Sequence, residues 1–203
     1  MNKPMGNRVR TMTQLALLLA LLLILSYTPL GYLPVGPLVL SLLSVPVAIG
    51  AMLLGPLGGA VLGGAFGLTS FFNMMRGSSP MGAALFAISP AATFVLCFVS
   101  RVAMGVCCAL VYRLACKLLP RRTKLCCAVG GGAAPLCHTL FFMGLLVALF
   151  YNSDYVQGLV AQMGAANPLI FVVGMVGLQG LVEAVVGCVI SAAVTVPLLK
   201  MRK

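Results

Sequence analysis

Between Arg10 and Arg76 the sequence carries no charged side chain, and apolar runs of similar character recur up to Lys200. No other feature restricts the fold as strongly. A water-soluble domain uses roughly 25% charged residues to coat its surface; this chain has 7%, against 62% apolar residues. The runs exceed the ~18–20 residues that cross a hydrocarbon core. Backbone groups in that core find no water, so spanning pieces must be helices or a closed barrel. A barrel would show alternating segments of ~10 residues. Continuous runs instead predict an all-α integral membrane protein, a single transmembrane domain over residues 1–203. The apolar stretch after Lys3, Arg8 and Arg10 lacks a small-residue cleavage site and reads as an uncleaved first span.

Breaks at Pro29/Pro34/Pro37, Gly55-Pro56, Arg76–Pro80, Pro120–Lys124 and Asn152–Pro168 partition the chain into six transmembrane helices. Their expected ranges are 11–30, 37–54, 56–75, 84–116, 125–151 and 168–199. The fourth range is long for one crossing, and Pro90 is expected to divide a short outer piece from the main helix. With six spans, eleven cations fall on one side: Lys3, Arg8, Arg10, Arg113, Lys117, Arg121, Arg122, Lys124, Lys200, Arg202 and Lys203. Positive charge marks the cytoplasmic face, so both termini are expected there, in a cell (plasma) membrane. The net charge of +11 is then a topology signal and needs no nucleic-acid partner.

Glycines at 55, 59, 63 and 67 lie four apart and share one stripe of a helix. Small residues let helix backbones approach in lipid, where apolar burial gives no drive to associate. The third span is therefore expected to present a flat packing face. No G-x-x-x-x-G-K-[ST] occurs, so the chain does not hydrolyse ATP by itself. Eight cysteines form no C-x-x-C, and His138 is the only histidine. Neither pattern makes a metal or redox centre, and the cysteines read as small buried apolar residues. A paired Ser/His, two catalytic aspartates and H-E-x-x-H are likewise missing. No catalytic residue, metal or cofactor is expected.

In order, the chain presents a short basic N-terminus and a first helix with A-x-x-x-A at Ala16 and Ala20. The loop SYTPLGYLPVGP, the run VPVAIGAMLLGPLGGAVLGGAFGL, a polar loop and SRVAMG follow. That series, GAMLLGPLGGAVLGGAFGLTS above all, resembles the S components of energy-coupling factor (ECF) transporters over essentially the whole chain. Within the family it is similar to pantothenate-type members, which share IGA..LGP..GA.LG..FGL. The resemblance implies a six-helix S-component bundle that captures a vitamin or related micronutrient near the outer face. It implies docking on a transmembrane scaffold that carries two cytoplasmic ATPase subunits. It also assigns Ala16 and Ala20 to the scaffold-facing strip. The rival reading is a stand-alone secondary carrier or channel, for which no convincing inverted repeat is visible.

Few polar residues remain for a site. Arg101 and Glu183 lie inside spans, sixteen and seventeen residues before Lys117 and Lys200. At ~1.5 Å per residue both stand about 24–26 Å from the cytoplasmic flank. Charges in hydrocarbon are costly, so they are expected to face the interior, either as a structural ion pair or as part of a binding pocket. Arg76, with Asn73 beside it in FFNMMRGSSP, is the one basic residue expected outside, and its guanidinium suits a carboxylate. Asn152 and Asp154 join them from the fifth-to-sixth connection. Tyr27 and Tyr32, from the first outer loop, suit an interfacial belt.

Overall fold

The computed structural model of the protein describes residues 5–28, 31–35 and 38–200, with side chains left undescribed at 5–7 and 32–40. The breaks expected at Pro29 and Pro37, and the cations Lys3, Arg202 and Lys203, lie outside the described residues. Eight helices and one small hairpin make up the described chain. The helices are α1 (Met5–Tyr27), α2 (Ser44–Leu54), α3 (Pro56–Met75), α4 (Pro80–Ile88), α5 (Pro90–Leu118), α6 (Thr123–Phe150), α7 (Asp154–Gln162) and α8 (Pro168–Lys200). The hairpin pairs β1 (Tyr32–Val35) with β2 (Leu38–Ser41), antiparallel, with Tyr32 opposite Ser41.

The protein is an all-α membrane protein apart from that hairpin. Five helices are long and apolar enough to cross a bilayer, over Arg8–Tyr27, Pro56–Met75, Pro90–Leu118, Thr123–Phe150 and Pro168–Lys200. The expected second span, 37–54, takes a different form. Its first part is strand β2, and α2 has only eleven residues, about 16 Å of helix. Ten of those eleven are buried, so α2 is held by protein on every side. The connection expected at 152–168 also differs, since α7 forms within it. Ser153 caps that helix by accepting a hydrogen bond from the Val156 amide, and Asp154 favours its positive end. The division at Pro90 is as expected: Ser89 is extended, caps α5 through Ala92 N and separates it from α4.

Glycine makes the tight contacts. Gly55 turns the chain from α2 into α3 with φ +81°, a conformation other residues resist, and Pro56 opens the next helix. The stripe then faces the α5 backbone. Gly59 abuts Gly105, Gly63 abuts the Arg101 carbonyl, and a Cβ at Gly67 would lie 2.8 Å from Phe98 Cα. A second seam joins α6 to α8, where Gly131 and Gly187 back onto one another beside Ser191 and Pro135. These seams fix α5 against α3 and α8 against α6.

Toward the α4 and α7 side, the helices bury a cluster of Leu85, Leu96, Met143, Leu146, Phe150, Val156, Val160 and Phe171. The short helices α4 and α7 contribute Leu85, Val156 and Val160, which cap that end of the bundle. A second cluster joins α1 to α2, α3 and α5 through Leu22, Leu43, Val47, Leu62, Phe66 and Met104. By contrast α1 leaves Met12, Leu17, Leu21 and Ile24 exposed.

Candidate functional site

A cavity of about 440 Å³ opens between α6 and α8, closed by the end of β2 and by α4. Its polar lining is Ser41, His138, Thr139, Gln179 and Glu183; its apolar lining is Met81, Phe142, Met143, Met175, Val176 and Gly180. The position follows from the second glycine seam. Contact at Gly131 and Gly187 draws α6 and α8 together on one side. Further along, Gly180 leaves room against Thr139, where a Cβ would meet Oγ1 at only 3.4 Å.

Glu183 is buried, at 7% exposure. Its Oε1 accepts a hydrogen bond of 2.8 Å from the Ser41 amide and one of 3.1 Å from Gln179 Nε2. A carboxylate held by two donors is oriented as well as stabilised, and the first of these bonds ties the hairpin to α8. Two more polar atoms of lining residues, Ser41 Oγ and His138 Nε2, are buried without a hydrogen-bond partner among the described residues. Such atoms are rare in folded proteins because each costs roughly 1–3 kcal/mol. Here they meet in a space large enough for a small molecule.

Arg101 lies next to this cavity through Phe142. Its Nη1 donates to the Cys97 carbonyl at 3.1 Å, and its guanidinium carbon sits 4.7 Å from the Phe66 ring centre and 5.3 Å from that of Phe142. The His138 ring stacks 5.8 Å from both phenyl rings. Phe66 comes from α3, Arg101 from α5, and His138 and Phe142 from α6. An intramembrane cation between ring faces gains attraction from both π-systems. Glu183 thus lines the cavity, and Arg101 stands behind the Phe142 ring that also lines it.

The other expected residues sit elsewhere. Arg76 is exposed at the C-cap of α3, its guanidinium carbon 5.8 Å from the Tyr27 ring centre. The Asn73 carbonyl accepts from Ser78 N in the same turn, which leads into α4. Neither lines the cavity that holds Glu183. Asn152 and Asp154 share a separate hollow of about 390 Å³ with Ala84, Ile88, Ser153 and Tyr155. Ala16 and Ala20 are exposed on α1, away from the side that carries Leu22 into the core. The sequence reading missed Ser41, Gln179, His138 and the methionines. Gln179 had a signal, standing four residues before Glu183 on the same helix face.

Fold and site together define a multi-pass α-helical membrane protein with a cavity of about 440 Å³ between α6 and α8. The profile of the family described as ECF transporter, substrate-specific component, matches residues 10–198, and the chain belongs to that family. Its members are substrate-binding components of transporters, and the family is not one of enzymes. No curated relative matches the chain.

Proposed function

We propose that the protein captures a vitamin or related micronutrient, with pantothenate the first candidate. In this reading the whole chain is a single transmembrane domain of the cell membrane with both termini cytoplasmic. It hands its ligand to a transmembrane scaffold driven by two cytoplasmic ATPase subunits, with Ala16 and Ala20 on the docking strip. The observation that carries the reading is the cavity, where Glu183, Gln179, Ser41 and His138 converge on an apolar, methionine-rich wall. Pantothenate offers hydroxyl and amide groups to that polar set and methyl groups to Met81, Met143 and Met175. Its carboxylate suits a guanidinium, either Arg101 near the cavity or Arg76 beside Asn73 at the outer turn. In the same reading Asn152 and Asp154 add polar groups from their separate hollow at the start of α7.

Calorimetry of the purified protein with pantothenate tests the proposal. A hydrogen bond to a charged group contributes ~1.5–3 kcal/mol, so Glu183→Gln is expected to weaken binding by roughly 10–100-fold. No heat of binding with pantothenate in the wild type removes that ligand. Unchanged affinity in a folded Glu183→Gln protein removes the cavity as the site.

A further inference from the structure

A cleft of about 580 Å³ lies at the opposite end from α4 and α7, between the start of α6 and the end of α8. Arg121, Arg122, Lys124 and Lys200 line it, together with apolar side chains that include Leu125 and Leu199. All four cations are exposed. The protein has only two acidic side chains, and neither can reach them. Glu183 is held by Ser41 and Gln179, seventeen residues back along α8 from Lys200 and so about 25 Å away. Asp154 begins α7, at the other end of the bundle. No acidic side chain of the protein balances the cations of this cleft. The first turn of α6 also opens here, and Arg122 supplies it with no side-chain cap.

We propose that this cleft binds an anionic phospholipid, the phosphodiester among the four cations and an acyl chain along Leu125 and Leu199. Position favours a lipid over a soluble partner. Lys200 ends one apolar helix, Lys124 lies in the first turn of another and Arg121 and Arg122 immediately precede it, at the level where headgroups lie. The apolar wall continues from the cleft into the spanning segments, and Leu125 keeps 43% of its surface exposed. Basic pockets between spanning helices on the cytoplasmic side are suited to lipid phosphates.

The test is native mass spectrometry of the intact protein in detergent, titrated with phosphatidylglycerol or phosphatidylcholine. Phosphatidylglycerol is expected to be retained in preference. The triple variant Arg121→Gln, Arg122→Gln, Lys124→Gln should bind it at least ~10-fold more weakly, from the usual contribution of each cation near an anionic surface. A charge-matched control, Arg8→Gln, Arg10→Gln, Lys117→Gln, should retain it as the wild type does. If the triple variant does not fold, Arg122→Gln and Lys124→Gln singly should each give a smaller loss in the same direction. Equal losses in the two triple variants would reduce the effect to diffuse charge and overturn the proposal. So would displacement of the lipid by low-millimolar inorganic phosphate, which would make the cleft a free-anion site. Unchanged lipid retention with loss of the copurifying scaffold would assign it to a protein partner instead.

Discussion

Replacing Gly63 by alanine should loosen the bundle, while the same change one residue later should not. A Cβ at Gly63 would lie 2.9 Å from the Arg101 carbonyl carbon, 3.2 Å from Val102 Cα, and nearer still to the Arg101 carbonyl oxygen. Ordinary contact begins near 3.4 Å, so α5 has to retreat by more than about 0.5 Å to clear the carbonyl carbon and the still nearer oxygen, because neither backbone can rotate away. A radial gap of ~0.5–1 Å forfeits a quarter to a half of each dispersion contact along the seam. In lipid those contacts are a main source of helix association. Overpacking of this kind costs ~1–3 kcal/mol. At Gly64 the new methyl would meet only the Phe98 ring at 3.4 Å and Val102 Cγ2 at 3.7 Å. There the gain in helix propensity, up to ~1 kcal/mol, is uncompensated by any clash. The two variants should differ by about 2 kcal/mol in unfolding free energy, measured by denaturing-detergent titration in one micelle system. Ligand affinity should fall with Gly63→Ala as well, since Arg101 is the residue displaced from Phe66 and Phe142. Coincident unfolding curves for the two variants would refute the packing argument.

Three further outcomes are expected. Gly187→Leu should destabilise the α6–α8 seam, where even a Cβ would meet the Gly131 backbone and Pro135; a stable variant that binds ligand normally would mean the seam does not position the cavity. The double variant Ala16→Trp, Ala20→Trp should lose copurification with the scaffold yet keep ligand affinity, because both side chains are exposed on α1; normal transport by that variant would exclude the strip from docking. In a cysteine-free background, Ser78→Cys and Asp154→Cys should each react with an impermeant thiol reagent added to intact cells, and protection of both would reverse the proposed orientation.

The elements legible in the sequence were those that local chemistry punctuates. Pro56 and Pro90 open helices where prolines are tolerated, and the spacing of Gly59, Gly63 and Gly67 already implied a face that meets backbone. What it meets, the carbonyl edge of α5, required the partner helix. The sequence of 37–54 reads as one span and the structure divides it into a strand and a buried helix, because a short apolar run fits both equally. Helix α7 was overlooked in a polar stretch, although Ser153 followed by Asp154 is a helix-start signal. The charges at 101 and 183 were placed at a common depth from rise per residue alone. Their partners were not visible, since Phe66, Phe142 and Ser41 lie 35 or more residues away along the chain and reach them only through packing.

ATP-dependent uptake in proteoliposomes tests the central claim most directly, with this chain reconstituted alone or together with its scaffold and the two ATPase subunits. Radiolabelled ligand should accumulate only in the full assembly with ATP inside the ATPase-facing compartment. The chain alone should bind ligand without moving it, and Glu183→Gln should depress uptake by the assembly. Accumulation by the chain alone, driven by an ion gradient and indifferent to ATP, would show a self-sufficient carrier and contradict the account.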